Sequence, residues 1–551
     1  MPVFSARRSR ESRPLTRVLL VSVPSVGSID VNGVACRTPG GVDLLSDVSF
    51  RVGDGEHVAL VGANGAGKTT LFRVIASNQP AHAGSVHVDG RLRVMRQLVG
   101  WREEGRTVRD MLLDLSPTEL QRAASDLTAA EQAAADEPGD RAGMALARAH
   151  TTWGDAGGWD AEVLWDTCCT IAVRQPLTKA GDRPLATLSG GEQKRLALEV
   201  LLRSDADVLL LDEPDNYLDV PGKEWLESAL QTCPKTILLI SHDRQLLAGV
   251  ARRVVTLEGR TAWVHGGPFR TWHEAREARL ARIDDEHRLW QEERKRMQAS
   301  LVEYRRRASM GSDKFASRVR ATKSKIERFE AAPPPERVVD HHVTMRLGGD
   351  RTGTRVVICE QLELHGLTDP FDTEVVYGER VAVLGPNGTG KSHFLRLLAG
   401  EPVGHEGDWR LGARVVPGFF SQTHDHPELR GIDVLDIVMT RGVERGKAMA
   451  ALRRYGIHGC GQQAFETLSG GQQARLQILL LELAGSTLLL LDEPTDNLDL
   501  SSAEALEEAL ESYVGTVVAV THDRWFLRGF DRFLVFGRDA TVTEHLEPVF
   551  A

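Results

Sequence analysis

Short, uninterrupted runs of apolar residues recur along the chain, and helix-like stretches follow them. Residues 57–61 read His-Val-Ala-Leu-Val, and residues 380–384 read Arg-Val-Ala-Val-Leu. Runs of this kind are typical of strands that are buried on both faces of a parallel sheet. The segments 70–75 and 394–398 then continue with helix-like sequences. This alternation predicts an α/β fold.

A glycine-rich phrase follows each of these two strand-like runs. It reads Gly-Ala-Asn-Gly-Ala-Gly-Lys-Thr at 62–69 and Gly-Pro-Asn-Gly-Thr-Gly-Lys-Ser at 385–392. Glycines let backbone N–H groups close around phosphate oxygens, and the following helix N-terminus favours negative charge. The alternative is a chance glycine turn before a helix, which the repetition argues against. The candidate ATP-binding residues are Gly62, Ala63, Asn64, Gly65, Ala66, Gly67, Lys68, Thr69, Thr70, Gly385, Pro386, Asn387, Gly388, Thr389, Gly390, Lys391 and Ser392.

Later motifs repeat at a constant offset, which indicates two copies of one unit. The pairs separated by 280 residues are Ser189 and Ser469, Glu213 and Glu493, and His242 and His522. Lys68 and Lys391 are 323 residues apart, so the first copy holds 43 additional residues before Ser189. Repetition at this scale predicts tandem domains.

Each copy also contains an apolar run that ends in Asp-Glu. The runs are 208–211, before Asp212 and Glu213, and 488–491, before Asp492 and Glu493. Ligands of α/β sheets lie at the carboxyl ends of the strands. The two glutamates are therefore predicted to orient or deprotonate an attacking water, although an acidic pair can also merely end a strand. The residues predicted to hold Mg²⁺ are Thr69, Asp212, Ser392 and Asp492.

The segment 269–336 has a different pattern, with apolar residues in a heptad-like series. Ile283, Trp290, Met297 and Tyr304 are seven residues apart, and a second series runs over 315–329 in steps of four and three. Both stretches predict long amphipathic helices. A glycine-containing tip between them predicts an antiparallel hairpin, and prolines at 333–335 end it.

Charge is concentrated in this hairpin. Between Arg294 and Arg328 there are 12 basic and 3 acidic residues, a net charge of +9 in a chain whose total is −10. A solvated helix face is the ordinary explanation for a charge run. Such a concentration of positive charge in one segment of an acidic protein favours binding to RNA phosphates. The candidate RNA-binding residues are Arg305, Arg306, Arg307, Lys314, Arg318 and Arg320.

Composition narrows the class of protein. The six cysteines show no metal-ligand spacing, which predicts reduced thiols and a cytoplasmic location. No stretch reaches the roughly 18 to 20 apolar residues that span a bilayer. Residues 17–23 resemble a weak signal peptide, but a flexible extension or a first strand is the preferred interpretation.

The phrases Leu-Ser-Gly-Gly-Glu-Gln at 188–193 and Leu-Ser-Gly-Gly-Gln-Gln at 468–473 each precede a helix-like stretch. They resemble the signature of the ATP-binding cassette ATPases. The resemblance implies head-to-tail pairing, in which the signature of each copy caps the nucleotide held by the lysine of the other. The signature residues so implied are Ser189, Gly190, Gly191, Glu192, Ser469, Gly470, Gly471 and Gln472.

The same resemblance implies ATP hydrolysis with Mg²⁺ at two sites. Gln97 and Gln422 stand where the family has a metal-sensing glutamine, and His242 and His522 where it has a switch histidine. These histidines are grouped with Glu213 and Glu493 as catalytic candidates. No clear aromatic residue precedes the first loop, so base selectivity at that site stays open.

Two cassettes joined by a basic hairpin, without a membrane domain, resemble the ABC-F proteins. The chain looks most like the macrolide-resistance members of antibiotic-producing actinomycetes, of the carbomycin, spiramycin and tylosin types. Its 56 Arg and 11 Lys fit a GC-rich genome. The expected domains are an extension (1–28), a first cassette (29–268) with a helical arm insertion at about 105–165, a hairpin linker (269–336) and a second cassette (337–551).

The resemblance also implies a function. ABC-F proteins bind the ribosome at its exit-tRNA site, so 23S rRNA and the peptidyl-tRNA are the expected partners, and ribosome protection is the expected mode of resistance. The arm insertion can instead be an enlarged helical subdomain without a binding role. A housekeeping translation factor remains an alternative, as does the ATP-binding subunit of a drug exporter with a separate membrane permease.

Overall fold

The computed structural model describes residues 27–38, 40–95, 105–309, 313–332, 343–348, 351–421 and 426–550. These residues form two cassettes joined by two long helices, which confirms the expected α/β fold with tandem cassettes and a hairpin. Most of the expected N-terminal extension lies outside the described residues, as do Gln97, Gln422 and the prolines at 333–335. The domain boundaries inferred from the sequence stay predictions.

The described part of the first cassette contains nine strands and nine α-helices. Strands β1 to β9 are Ser28–Arg37, Asp43–Val52, His57–Gly62, Ala83–Asp89, Leu92–Met95, Val208–Asp212, Thr236–Ile240, Arg253–Glu258 and Thr261–His265. Helices α1 to α9 are Lys68–Ile75, Val108–Asp114, Thr118–Asp136, Asp140–Asp155, Gly158–Val173, Leu177–Ala180, Gly190–Arg203, Val220–Gln231 and Arg244–Val250. Two 3-10 turns lie at Leu185–Thr187 and Phe269–Thr271.

The sheet topology gathers the sequence motifs at one edge. Six strands form a sheet in the order β5-β6-β7-β3-β8-β9, parallel except for the last pair. Asp212 ends β6 directly opposite Ile240 at the end of β7, and the glycine-rich loop follows β3. Because these neighbouring strands are parallel, their carboxyl ends meet at the same edge. A smaller antiparallel sheet, β2-β1-β4, packs against it.

Strand β3 is apolar at successive positions because both of its faces are covered. Val58 and Leu60 belong to an apolar cluster with residues of β1 and α1. Ala59 and Val61 belong to another cluster with residues of α7. Alternate side chains of a strand point to opposite faces, so two covered faces leave no position for polar residues.

Helices α3 to α5 lie in and just beyond the region, about 105–165, where the sequence predicts an arm insertion. Helices α3 and α4 pack side by side, joined at 137–139, and α5 lies against α7. The indole rings of Trp153 and Trp165 lie 6.3 Å apart and tie α4 to α5. Both are almost fully buried. The insertion is therefore anchored to the cassette core at its end, while α3 carries few buried side chains.

The linker is an antiparallel pair of helices. Helix α10 spans Trp272–Ala308 and α11 spans Asp313–Glu330; the 37 residues of α10 extend over roughly 55 Å. The rings of Trp290 and Phe329 stack at 5.4 Å, and Arg294 Nε donates to Glu330 Oε1 at 2.6 Å. Ile283 and Met297, which belong to the same seven-residue series as Trp290, are also buried.

The second cassette repeats the architecture of the first without the insertion. Strands β10 to β18 are Arg355–Leu364, Phe371–Val376, Arg380–Leu384, His405–Leu411, Pro417–Phe420, Leu488–Asp492, Thr516–Val520, Arg532–Phe536 and Val542–His545. Helices α12 to α16 are Lys391–Leu398, Val434–Met439, Arg445–Arg454, Gly470–Ala484 and Leu500–Ser512. Four 3-10 turns lie at Pro427–Leu429, His458–Cys460, Phe465–Thr467 and Phe526–Gly529.

Its main sheet has the order β14-β15-β16-β12-β17-β18, the counterpart of the first. The three-stranded sheet β11-β10-β13 completes the cassette. Within the described ranges, no helix combines the length and the apolar content needed to cross a lipid bilayer. All six cysteines are free thiols.

Candidate functional site

Both glycine-rich loops adopt backbone conformations that require glycine. Gly65 and Gly67 have φ values of +82° and +97°, and Gly388 and Gly390 have +87° and +98°. These angles lie in the left-handed region, which L-residues with side chains rarely adopt. A Cβ atom on Gly385 would lie 2.2 Å from the carbonyl oxygen of Phe536. The loops therefore depend on the glycines that the sequence analysis singled out.

The two loop lysines are buried and face carbonyl oxygens of their own loops. Lys68 Nζ donates to the carbonyls of Gly62 at 2.7 Å and Ala63 at 3.1 Å. Lys391 Nζ donates to the carbonyls of Gly385 at 2.7 Å and Pro386 at 2.8 Å. Burial lowers the pKa of both ammonium groups, and nearby carboxylates oppose that shift. Each lysine begins a helix that follows the loop, where phosphate binding is favoured.

A hydroxyl and a carboxylate stand beside each lysine. Ser392 Oγ donates to Asp492 Oδ1 at 3.1 Å, and the Thr69 hydroxyl is near enough to the Asp212 carboxyl to lower its pKa. Burial, together with the neighbouring Glu213, raises the pKa of Asp212 to about 6. Asp212 Oδ1 is buried and has no hydrogen-bond partner among the described residues. Hydroxyl and carboxylate oxygens are the ligands that Mg²⁺ prefers, so the donor set fits this ion.

The two glutamates that follow these aspartates share an unusual backbone. Glu213 and Glu493 have φ values of +48° and +47°. Their N–H groups donate to Ile240 at 2.8 Å and to Val520 at 3.0 Å, each the last residue of the adjacent strand. A non-glycine residue in the left-handed region is strained and persists where the surrounding structure holds it. The same strained conformation occurs in both cassettes, which indicates that the glutamate side chains must be held in a defined position.

The two histidines lie beside these glutamates and are neutral at physiological pH. His522 Nε2 lies 3.4 Å from Glu493 Oε1, and the backbone N–H of His522 donates to Glu493 Oε2 at 3.1 Å. Burial, aided by Lys391, holds the pKa of His522 well below its usual range. Burial and Lys68 lower the pKa of His242 to about 4. Burial and nearby aspartates raise the pKa of Glu493, which makes it a stronger base.

The signature residues form the N-termini of α7 and α15. Ser189 accepts from the backbone of Glu192, whose side chain in turn accepts from the Ser189 N–H. Ser469 and Gln472 form the same reciprocal capping box. Such boxes fix the first turn of a helix and leave its remaining N–H groups aimed outward. The signature serines are therefore helix caps in both cassettes.

The signature of the second cassette lies against the loop of the first. A Cβ atom on Gly471 would lie 2.3 Å from Asn64 Nδ2 and 2.8 Å from the carbonyl of Asn497. Asn64 Nδ2 donates to that carbonyl at 3.1 Å, and the Asn64 N–H donates to Asp499 Oδ2 at 3.0 Å. Burial would raise the pKa of Asp499, but hydrogen bonds from Ser502 and Asn64 lower it to about 2. The two cassettes are thus in contact head to tail.

A cavity of about 410 Å³, here called the first site, lies between these two surfaces. The first cassette contributes the loop, glutamate and histidine, and the second contributes its signature. Its lining residues are Leu44, Asn64, Gly65, Gly67, Lys68, Thr69, Thr70, Glu213, His242, Ser469, Gly470, Gly471, Asp496 and Asn497. These described lining residues include no Phe, Tyr or Trp ring, in line with the open question of base selectivity.

The reciprocal second site combines the loop of the second cassette with the signature of the first. Asn387 Nδ2 donates to the carbonyl of Tyr217 at 3.2 Å, and a Cβ atom on Gly191 would lie 2.9 Å from that carbonyl oxygen. Ser189, Gly191 and Asn387 line a cavity of about 600 Å³. The arrangement repeats the contacts of the first site: Gly191 and Tyr217 correspond to Gly471 and Asn497 at the offset of 280, and Asn387 corresponds to Asn64 at the offset of 323. Both sites are therefore composite.

Several residues at this interface were not identified from the sequence. Asp499 contacts the opposite loop, and three arginines line the cavity beside the second site. Those arginines are Arg174, Arg195 and Arg538. The repeated Leu-Asp before α8 and α16 was the available signal for Asp499, since both aspartates cap their helices. The arginines belong to separate elements, and no spacing in the sequence connects them.

The candidate RNA-binding residues lie on the linker, remote in the chain from both sites. Arg305, Arg306, Arg318 and Arg320 are exposed, and Lys314 lies on α11. Arg307 Nε donates to Glu303 at 2.7 Å, and its guanidinium lies 5.5 Å from the Phe315 ring. Part of this basic surface is therefore ordered by contacts within the hairpin. The tip residues 310–312 lie outside the described residues.

Comparison with known proteins agrees with the two-cassette architecture. The sequence profile of the ABC transporter family matches residues 45–216 and 368–496, one segment in each cassette. A protein of Mycobacteroides abscessus named antibiotic resistance protein is 50% identical over 547 residues, which covers 94% of this chain and 99% of that protein. ATP-binding cassette sub-family F member 3 of Homo sapiens is 29% identical, covering 88% of this chain and 68% of that protein.

Two further proteins are similar along most of the chain. The energy-dependent translational throttle protein EttA of Mycobacterium tuberculosis is 29% identical, covering 88% of this chain and 87% of that protein. Among solved structures, archaeal ribosome recycling factor aABCE1, in complex with the archaeal ribosomal stalk protein aP1, superposes with a TM-score of 0.54. It is 19% identical, over 91% of this chain and 87% of that one. At this identity the likeness concerns the fold.

Proposed function

Because this chain belongs to the ABC-F family of ATP-binding cassette ATPases, we propose that it binds the ribosome when ATP closes its two cassettes and protects the ribosome from a macrolide antibiotic. The expected contacts are 23S rRNA and the peptidyl-tRNA near the exit-tRNA site. The observation that carries this proposal is the hairpin of α10 and α11. A helix of about 55 Å with a strongly basic surface leaves the closed cassettes and is suited to contact RNA phosphates.

The names of two relatives support the two parts of this proposal. The 50% identical protein of M. abscessus is named as an antibiotic resistance protein, and the match extends over nearly its whole length. EttA is named as a translational throttle protein. Transfer of these roles to the present chain rests on similarity along the linker as well as the cassettes, because both matches cover 88% of the chain or more. Macrolides are proposed as the drug class from the sequence resemblance alone.

The chain's own residues account for an ATP-dependent clamp. Lys68 and Lys391 would bind the β- and γ-phosphates, and the opposite signature helix would close on the γ-phosphate with its N-terminus. Mg²⁺ held at Thr69 and Asp212, and in the second site at Ser392 and Asp492, would neutralise phosphate charge. ATP would then contact both cassettes at once and stabilise the closed state.

Hydrolysis would release this clamp. Glu213 and Glu493 would position the attacking water and accept its proton, while the neutral histidines hold the water or the glutamate in place. The raised pKa of Glu493 suits it to proton acceptance. The roles of Gln97 and Gln422 toward the metal stay predictions, since both lie outside the described residues.

Cell-free translation tests the proposed function because it contains no membrane. Purified protein, added with ATP to a macrolide-inhibited extract, should restore protein synthesis. A protein with both loop lysines replaced by alanine, which removes the phosphate contacts, is the matched control and should restore nothing. If expression makes cells resistant while the extract gains nothing, the protein instead serves an exporter with a separate membrane permease. If the protein alters translation without the drug and gives no resistance, it is a housekeeping factor.

A further inference from the structure

A buried lysine that belongs to neither phosphate loop lies where the two cassettes meet. Lys223, on α8, is 7% exposed, and its Nζ lies 3.3 Å from Asp243 Oδ2. Asp243 directly follows His242 in the chain and caps α9. The carboxylate that pairs with Lys223 therefore belongs to the residue next to the histidine of the first site. Lys223 touches neither phosphate loop, so the predicted nucleotide contacts do not use it.

Lys223 forms an ion pair with Asp243 of its own cassette, and carboxylates of both cassettes act on its charge. These are Asp215, Asp243, Asp496 and Asp523. Burial alone would lower the pKa of Lys223, but these carboxylates, with Asp243 the strongest, hold it above the usual range. Asp215 and Asp496 follow Glu213 and Glu493 by two and three residues, and Asp243 and Asp523 directly follow the histidines. The charge of the lysine is thus felt by the loops that carry the catalytic candidates of both sites.

Two ion pairs between arginine and glutamate cross this interface, and they are symmetric. Arg244 Nη1 donates to Glu507 Oε2 at 2.9 Å, and Arg524 Nη2 donates to Glu227 Oε2 at 2.9 Å. Each of these residues has its counterpart 280 positions away. Lys223 has none, because position 503 is alanine. The two ion pairs are therefore symmetric, whereas the cation of Lys223 has no counterpart in the second cassette.

We propose that Lys223 is a positioning residue shared by both ATP sites, which holds the loops after Glu213 and Glu493 together so that the two sites close as one unit. Closing the cassettes brings carboxylates of both halves into one poorly solvated region. Like charges there repel strongly, and a buried cation compensates them. Removal of the cation would leave the carboxylates unpaired, which would destabilise the closed state relative to the open state. This role lies in the ATPase itself and does not depend on which partner the closed state binds.

The first test measures the two sites separately. Lys223→Met is introduced into Glu213→Gln protein and into Glu493→Gln protein, in which the unaltered glutamate accounts for the remaining hydrolysis. A shared role predicts that the KM for ATP rises in both backgrounds by a similar factor, roughly tenfold, within the range usual for couplings between sites. The kcat at saturating ATP should change far less. An effect confined to the site of Glu213 and His242, or no effect on KM, overturns the proposal.

The second test asks whether the effect crosses the interface. Asp496→Asn removes one carboxylate of the second cassette, and the first cassette already has asparagine at the equivalent position, Asn216. Combined with Lys223→Met, it should recover most of the lost ATP affinity. Lys223→Arg, which keeps the positive charge, should by itself leave the affinity for ATP close to that of the wild type. If Asp215→Asn restores affinity and Asp496→Asn does not, the role is local to the first cassette and the proposal fails.

A matched control separates this role from general stability. Lys235 is also a buried lysine of the first cassette, but it donates to the carbonyls of Leu201 and Ser204, within its own cassette. Lys235→Met should lower the melting temperature and leave the KM for ATP unchanged. If Lys223→Met alone does not fold, the double variant with Asp496→Asn decides. Folding with near-normal KM supports the proposal, and continued misfolding overturns it.

Discussion

Arg524 of the second cassette donates a hydrogen bond of 2.9 Å to Glu227 of the first. Both side chains are largely buried, at 14% and 17% exposure, so the pair is desolvated. The equivalent residues, Arg244 and Glu507, form the reciprocal pair across the same interface. Two reciprocal ion pairs of this kind fix the register of the cassettes, because shifting one half would leave charges of both pairs without partners.

This pair predicts a coupling between the cassettes. Arg524→Ala and Glu227→Ala should each raise the ATP concentration needed for closure. The free-energy cost of closure in the double variant should be smaller than the sum of the costs in the two single variants. We expect a coupling energy of roughly 0.5–3 kcal/mol from the double-mutant cycle. Fluorescence energy transfer between dyes on the two cassettes measures closure. Arg532 and Glu379 pair at 2.8 Å within the second cassette, so the same cycle there should leave closure unaltered.

The proposed clamp predicts that hydrolysis and binding can be separated. Changing Glu213 and Glu493 together to Gln keeps the side-chain shape and removes both carboxylates. ATP hydrolysis should fall by at least roughly a hundredfold, because positioning the water and accepting its proton are both lost. The protein should then accumulate on ribosomes in sedimentation with ATP. Ribosome association no greater than that of the wild type would contradict the ATP-dependent clamp.

The basic linker predicts a salt-dependent contact with RNA. Replacing Arg305, Arg306 and Arg307 by Gln should weaken ribosome binding and reduce the slope of log affinity against log salt concentration. Each lost phosphate contact lowers that slope by about 0.7 to 0.9. Arg307 already pairs with Glu303, so it should contribute less than the other two. Binding across a salt series, with basal ATPase as the control, measures this, and an unchanged slope would show that these arginines are only solvated.

The aromatic stack in the hairpin predicts how its two helices stay together. Trp290→Ala removes the ring that stacks on Phe329 at 5.4 Å. Such pairs contribute about 0.5–1.5 kcal/mol beyond their buried area, so the helices should separate more often. Trypsin should then cleave faster within 294–328, where basic residues are dense. Trp225→Ala, which alters the first cassette, should not change the rate of cleavage in the linker.

The burial of the Asp212 carboxyl group predicts that this residue lowers the stability of the folded protein although activity requires it. Its folded pKa of about 6 lies above the usual value near 4, so the folded protein binds more protons than the unfolded chain between these values. The stability contributed by this group is therefore present at low pH and is lost as pH rises through about 6. Asp212→Asn should raise the stability of the nucleotide-free protein by up to about 3 kcal/mol above pH 6.

The same substitution should abolish activity at the first site. An amide cannot supply the charge that Mg²⁺ requires, so hydrolysis by a Glu493→Gln variant, which retains only the first site, should be lost. Chemical denaturation at pH 4 and pH 7 measures the stability difference, which should be larger at pH 7. Equal stability of Asp212→Asn and wild type at pH 7 would show that Asp212 is not destabilised by burial.

The sequence by itself determined the features whose physics is local. A phosphate loop needs glycines at fixed spacings before a lysine, so Lys68 and Lys391 could be located from a few neighbouring residues. The hairpin seam followed from the seven-residue spacing of Trp290, Met297 and Tyr304, since a helix places such residues on one side. The end of a buried strand located Asp212 in the same way. In each case the relevant contacts lie within one element or between adjacent ones.

Only the tertiary structure decided which distant residues share a surface. Asn64 and Asp499 are 435 positions apart, and their contact depends on how two folded cassettes dock. The position of Lys223 among carboxylates of both halves had no pattern in the chain, because those carboxylates belong to four separate loops. The orientation of docking is the sum of many weak contacts over both surfaces, and no short segment of sequence contains that sum.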